Sequence, residues 1–327
     1  MKEFQLIDDV MPDVPPADPA RTMGIRARLM GRPPRRRLPG WSRVTLAAAA
    51  VSLVLVGGFV VVPRLGGSEV DTAATSNVPP VLAAAADRLA AQPLGTGAWW
   101  RRETLQVGRI RTKANPSFTV EQRVTQVLWV NREGEEQLEQ GDVTSALLTP
   151  ADEQAWKDAG SPPLCVPKGK CAVATLFWPS ADPESLKPVT RLPTDAEALK
   201  AELLTRRSAG DGQTEAWWLW ATAKWLLFET QSTPGTRAAL YRMLAGLPGV
   251  QVTDKVSDVE GRAGVALLFE HPDGYQQQII IDRESGDLLA AQTVLLRPNG
   301  EYGRPDGRPL ESWVIKKLGW TDETPKG

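Results

Sequence analysis

Hydrophobic and polar residues are distributed very unevenly along this chain. Residues 44–62, VTLAAAAVSLVLVGGFVVV, contain no charged side chain. A helix rises about 1.5 Å per residue, so a helix of this length is about 28 Å long, close to the ~30 Å hydrocarbon core of a bilayer. The pattern predicts a single transmembrane helix at 44–62, which separates a short tail, residues 1–43, from a much longer C-terminal part.

The remaining pattern predicts a linker at 63–80, rich in Gly, Ser, Thr and Pro, and an α+β domain at 81–327. We expect a curved antiparallel sheet covered on one face by helices, because strands come first and last and helices lie between them. Helical spacing and N-cap residues predict helices at 81–92, 149–159, 194–208, 214–230 and 234–247. Alternation and turn sequences predict strands at 98–107, 118–130, 250–257, 264–270, 275–282, 287–296 and 312–320.

The charges flanking the apolar segment predict its orientation. Eight arginines lie between positions 21 and 43, and no acidic residue occurs from 19 to 67. Basic flanks stay in the cytoplasm, so the tail is expected inside, the domain outside, and the lipid bilayer is the first expected partner. Two alternatives fit less well. A cleaved signal has a shorter apolar region nearer the start, and a buried core helix rarely lacks every polar position.

The charge balance excludes one class of partner. Residues beyond 62 carry 29 basic and 34 acidic side chains, a net charge of −5. Nucleic-acid surfaces are basic, so we expect no nucleic-acid partner.

The two cysteines, Cys165 and Cys171, lie in the sequence CVPKGKC. An exported domain lies in an oxidising compartment, which favours a disulfide between them over two free thiols. A metal site is disfavoured, because zinc usually takes four ligands and the single histidine is His271. We therefore expect no metal and no cofactor.

Catalytic patterns are absent from the sequence. No nucleophile elbow, phosphate-binding loop or zinc-protease motif occurs. His271 and Asp273 suggest a general base, but the sequence His-Pro-Asp-Gly at 271–274 favours a turn between strands. We predict that the chain is not an enzyme and has no catalytic residues; a cell-wall hydrolase using two distant carboxylates is the least favoured alternative.

Tryptophan is the most unusual residue here, with twelve Trp against three Tyr and six Phe. The segment 214–230 is apolar on all sides, which is typical of a buried core helix. Its rings also suit a cavity for an apolar or lipid-like ligand, or a position at the bilayer surface. The hypothetical ligand-binding residues are Trp217, Trp218, Trp220 and Trp225.

Several short motifs resemble those of a family of actinobacterial single-pass membrane proteins encoded beside extracytoplasmic-function sigma factors. The resembling motifs are Asp13-Val14-Pro15-Pro16, Leu247-Pro248-Gly249-Val250, Asp258 through Gly264-Val265-Ala266, Ile281-Asp282 with Gly286-Asp287-Leu288-Leu289, and Gly319-Trp320-Thr321-Asp322-Glu323. The domain also resembles the curved-sheet fold of lipoprotein carriers and of periplasmic regulators of anti-sigma factors, an architectural analogy that assigns no site residues. The tail differs from zinc-type anti-sigma factors, because residues 1–43 contain no His and no Cys.

These observations predict a membrane-anchored binding or sensor protein, with an apolar or lipid-like ligand as its hypothetical partner. The alternative is a sigma-factor-associated regulator whose tail, residues 1–43, binds a cytoplasmic regulatory protein.

The predicted topology is tested by reporter fusions. Alkaline phosphatase, which is active only after export, should be active when fused after Pro63 and inactive when fused after Arg43, because only the first fusion contains the apolar segment. An inactive enzyme at both positions, with a cytoplasmic fluorescent reporter active after Pro63, would contradict the orientation.

Overall fold

The computed structural model describes four ranges of the chain, residues 78–164, 189–208, 212–298 and 302–326, all within one compact unit. The tail, the segment 44–62 and the cysteines Cys165 and Cys171 lie outside these ranges, so the predictions made for them stay predictions. Within the described ranges, no helix is both long enough and apolar enough to cross a membrane.

The described residues form five α-helices, one short 3-10 helix and nine strands. The helices are α1 Pro80–Ala90, α2 Pro150–Asp158, α3 Ala196–Leu204, α4 Glu215–Glu229 and α5 Pro234–Ala245, with the 3-10 helix at Val189–Arg191. The strands are β1 Trp99–Arg111, β2 Thr119–Asn131, β3 Glu136–Gln140, β4 Thr144–Leu147, β5 Val250–Ser257, β6 Ala263–Glu270, β7 Tyr275–Ile281, β8 Leu288–Leu295 and β9 Pro309–Thr321.

The strands form one curved antiparallel sheet in the order β3-β2-β1-β9-β8-β7-β6-β5, with β4 paired to β2. The predicted α+β class is therefore confirmed, and the last five strands follow one another in the sheet as an antiparallel meander. Each predicted helix and strand is present, with its ends shifted by a few residues. Three features were not predicted: the 3-10 helix, the short strands β3 and β4, and the insertion of β9 between β1 and β8, which joins the two halves of the sheet.

One face of the sheet packs against the helices and forms the main core. Helices α1, α3, α4 and α5 contribute apolar side chains to a single cluster with residues of β6, β7, β8 and β9. Strand β2 shows the predicted alternation, because Val120 and Val124 are buried while Arg123 and Thr125 are exposed. Local capping agrees with the sequence: the side chains of Thr149, Asp195, Thr214 and Thr233 each accept a backbone N–H at the start of a helix.

A second, smaller apolar cluster lies on the opposite face of the sheet and includes Ile280 and Val314. The turn between β5 and β6 reaches this face through Arg262, whose guanidinium donates to the carbonyls of Leu289 at 3.0 Å and Ile315 at 3.1 Å. Both carbonyls lie at register shifts of the sheet, where backbone groups are released from regular pairing. Arg262 also donates to the buried carboxylate of Asp258 in the same turn, 2.7 Å away. Arg262 therefore links the turn both to the sheet and to itself.

Helix α1 packs closely against the turn between β7 and β8. Gly286 in this turn has a φ of +80°, and a Cβ at this position would overlap the carbonyl oxygen of Ala85 in α1. Gly261, in the turn between β5 and β6, has a nearly identical φ of +81° but meets no atom of the described chain within 4 Å. Comparing the same substitution at the two glycines therefore separates the cost of backbone strain from the cost of close packing.

Replacing Gly286 with Ala should therefore destabilise the domain more than replacing Gly261 with Ala. Each change places an L-residue in the left-handed region, which costs about 1–2 kcal/mol. Only Gly286→Ala also pushes α1 away from the sheet, which adds about 1–3 kcal/mol typical of overpacking. Urea unfolding measures both variants, and equal losses of unfolding free energy would contradict the described packing of α1.

Candidate functional site

The four tryptophans singled out on α4 lie in three different environments. Trp218 and Trp220 belong to the core, with exposures of 1% and 0%. Trp220 donates from Nε1 to Oε1 of Gln277 on β7 at 2.7 Å and stacks on Phe269 with ring centroids 5.3 Å apart. Both rings are enclosed by protein, and Trp220 attaches α4 to the sheet.

Trp217, at the start of α4, is half-buried and packs in an aromatic group that includes the single histidine. Its ring lies edge-on to His271 at 4.5 Å, and His271 in turn stacks on Tyr275 at 4.4 Å. Burial lowers the pKa of His271, with an opposing effect from Asp273. The predicted turn is present, because the N–H of Gly274 donates to the carbonyl of His271 at 3.0 Å.

Trp225 lines a groove at the end of the sheet where β1 begins and β2 and β9 end. The groove consists of two cavities of about 520 Å³ and 510 Å³ that share Arg132, Thr190, Gln231 and Trp320 in their walls. The first cavity adds Trp225 and the end of α4, and the second adds Trp100 and the start of α5. We call this pair of cavities the tryptophan groove, after Trp100, Trp225 and Trp320.

Sheet register places two of these rings together. Trp100 on β1 is paired with Trp320 on β9, on the side where the helices pack. The loop before β1 lies directly against Trp320, because a Cβ added at Gly95 would come within 2.5 Å of that side chain. Glycine at position 95 thus permits an approach that any other residue would prevent.

Arg132, just after β2, lies at the centre of the groove. Its guanidinium carbon lies 3.5 Å from the ring centroid of Trp320, a cation–π contact. The same guanidinium donates to the carbonyl of Gly97 at 2.8 Å and to that of Gly95 at 3.1 Å. Arg132 therefore holds the loop, the ring and the end of β2 in one arrangement.

The segment between α4 and α5 forms the opposite wall. The hydroxyls of Thr230 and Ser232 donate to the carbonyl of Leu226 at 2.7 Å and 2.9 Å. Thr236 in the first turn of α5 donates to the carbonyl of Leu192, at 3.1 Å. These hydrogen bonds fix the end of α4 and the start of α5 relative to the 3-10 helix.

Buried charges set the position of α4 above the sheet. Arg102 on β1 forms an ion pair with Glu229 and donates to the carbonyl of Phe228 at 3.3 Å. One turn earlier, Lys224 is buried, and burial lowers its pKa to about 8 against the attraction of Glu311 and Glu229. Glu311 on β9 also accepts a hydrogen bond from Nε1 of Trp313 at 2.7 Å.

The two cavities differ in charge. Glu133, Glu136 and Glu229 line the first cavity, whereas no carboxylate among the described residues lines the second. Two arginines line the second cavity: Arg237, and Arg132, which lines the first cavity as well. An anionic group is therefore favoured electrostatically at the second cavity and disfavoured at the first.

Sequence reasoning found one of the groove residues, Trp225, as a ligand candidate. It missed Trp100, Arg132, Arg237 and Trp320, which come from four separate elements. One sequence feature did single out Trp320: it lies in the motif Gly319-Trp320-Thr321-Asp322-Glu323, one of those that carry the family resemblance. Within the described ranges, no group of three or more His, Cys, Asp or Glu side chains is placed to hold a metal ion.

Comparison with known proteins leaves this chain without a family assignment. No family model matches it, and no curated protein matches it. Among solved structures, the crystal structure of MucB is similar over 74% of this chain and 59% of the MucB chain, at 14% sequence identity and a TM-score of 0.21. This chain thus spans less than two thirds of MucB, and a score this low supports no conclusion about fold or function.

The buried position of Lys224 predicts a specific pH dependence of stability. Lysine in an unfolded chain has a pKa of about 10.4, so between about pH 8 and 9.5 the unfolded state binds more protons than the folded state. The unfolding free energy should therefore rise with pH in this window, by up to about 1 kcal/mol per pH unit. Lys224→Met should abolish the rise, as chemical denaturation at several pH values measures.

The control for this measurement is Lys157→Met, which removes an ammonium on the exposed face of α2. In this variant the unfolding free energy should rise with pH as it does in the wild type. If the unfolding free energy of Lys224→Met rises with pH as it does in the wild type, Lys224 does not cause this pH dependence.

Proposed function

We propose that this chain is a membrane-anchored binding protein that holds an apolar or lipid-like ligand in the tryptophan groove, in a domain outside the cytoplasm. The observation that carries the proposal is the wall of the groove, where Trp100, Trp225 and Trp320 converge on about 1,000 Å³ of space across the two cavities. Concave sites lined by aromatic rings and a few convergent polar groups are typical of small-molecule binding.

The chemistry of the wall favours binding over catalysis. Its polar groups are mostly amides, hydroxyls and guanidinium groups, which orient a ligand but do not readily exchange protons near neutral pH. Glu229 is paired with Arg102, and the single histidine, His271, belongs to the aromatic group at the other end of α4. The wall therefore offers groups suited to affinity and orientation.

The predicted anchor gives the proposal its location. The linker at 63–80 leads directly into α1, and Gln92 and Pro93, which follow α1, line the groove. A linker of this length spans at most about 60 Å when fully extended. In the proposed topology the groove thus stays within reach of the outer surface of the membrane, where amphiphilic ligands are concentrated.

The proposal is tested with an uncharged amphiphile and the full chain in phosphatidylcholine nanodiscs. Octyl glucoside, titrated below its micelle-forming concentration, should change the tryptophan fluorescence saturably, with chain-free nanodiscs as the blank. Trp320→Ala should weaken binding about tenfold or more, since it removes an aromatic wall and the ring beneath Arg132.

The matched control is Trp156→Ala on α2, a ring outside the groove whose Nε1 donates to the carbonyl of Pro162. It should bind as the wild type does. Equal affinities for the wild type and Trp320→Ala would show that the groove is not the binding site. If no amphiphile binds saturably, the proposed function is wrong.

A further inference from the structure

Arg237, in the first turns of α5, carries a buried charge that the described protein does not balance. The residue is 9% exposed, and neither Nε nor Nη2 of its guanidinium has a hydrogen-bond partner among the described residues. No ion pair joins Arg237 to a carboxylate in those residues. A buried cation without a partner is costly, so such groups normally occur beside an anion or in a binding site.

The neighbours of Arg237 do not supply the missing anion. Tyr241, one turn further along α5, lies beside the guanidinium, but burial raises the pKa of its hydroxyl to about 12, so it stays neutral. As a neutral group, this hydroxyl can interact with the guanidinium but cannot balance its charge. Asp282 and Asp287 line a smaller cavity of about 270 Å³ that Arg237 also borders, and neither carboxylate pairs with it.

The start of α5 adds a second source of positive potential at the same place. Helix α5 has 12 residues, and Ser232, Thr233 and Pro234 at its N-terminus line the second cavity together with Arg237. The N-terminal end of a helix carries a partial positive charge and favours anions. Arg132 faces the same cavity from the side of the sheet, so cationic groups border it on two sides.

We infer that the ligand of the tryptophan groove is an amphiphile with an anionic head group of the phosphate type, bound between Arg237, Arg132 and the N-terminus of α5. The apolar part then extends past Trp320 into the first cavity, towards Trp225, because the carboxylates that line the first cavity repel an anion. This inference rests on the proposed function, and it adds the chemical class and the orientation of the ligand.

The test compares three probes on the full chain in phosphatidylcholine nanodiscs: octyl phosphate, octyl glucoside and inorganic phosphate. Octyl phosphate should bind at least about tenfold more tightly than octyl glucoside, because charge-assisted hydrogen bonds to guanidinium are strong. Added salt should weaken the binding of octyl phosphate and leave that of octyl glucoside nearly unchanged. These two comparisons use the wild type and need no variant to fold.

Arg237→Gln should bring the affinity for octyl phosphate down to that for octyl glucoside, and Arg237→Lys, which keeps the charge, should retain part of the difference. The matched control is Arg242→Gln, on the same helix but paired with Asp87 outside the groove. It should leave the preference for octyl phosphate unchanged.

The outcomes separate this inference from the proposed function. If both amphiphiles bind the wild type equally, or if Arg237→Gln keeps the preference, the anionic subsite is wrong and the apolar groove stands. If inorganic phosphate alone binds as tightly as octyl phosphate and Arg237→Gln abolishes both, the anionic subsite stands and the lipid-like ligand is wrong. If no probe binds, both are wrong.

Discussion

The burial of most of the surface of α4 is the constraint on which the rest of this structure depends. A helix with so many tryptophan and leucine side chains gains about 2–3 kcal/mol for each large ring or aliphatic group removed from water. The sheet must therefore cover one side of α4, and α3 and α5 must cover much of the rest. Two polar side chains of α4 find partners on the sheet: Trp220 donates to Gln277, and Glu229 pairs with Arg102.

The same constraint produces the groove. Arg102 and Trp100 lie two residues apart on β1 and therefore project from the same face of the sheet. The end of α4 is tied to Arg102, and the groove lies beside this contact, with Glu229 and Trp225 in one cavity and Trp100 in the other. The short connection to α5, fixed by the hydroxyls of Thr230 and Ser232, closes one wall of that space and places the start of α5 against it.

Local features of the fold were predictable because local physics determines them. N-cap residues such as Thr149 and Asp195 and the turn at 271–274 appear where the sequence indicates, since each depends on a few neighbouring residues. The position of β9 between β1 and β8 was not predictable, because strand order depends on distant pairing. Strand β3, EQLEQ, is almost entirely exposed and lacks an apolar alternation to reveal it.

The site was harder to predict than the fold for a related reason. Trp218 and Trp220 lie within a visibly apolar helix and belong to the core, whereas Trp100 and Trp320 are far apart in the sequence and meet only through sheet register. Arg237 lies in an ordinary helical segment, and only the fold shows that it is buried without a counter-ion. Sequence patterns report burial well, but a site built from several elements requires the tertiary structure.

Native mass spectrometry of the full chain, released gently from the membranes of the cells that make it, reveals any ligand that the groove holds. We expect a bound amphiphile with an anionic head group, present at one copy per chain and lost when Trp320 is replaced. A chain that is always released without ligand, or that carries only uncharged molecules unaffected by the Trp320 substitution, would contradict it.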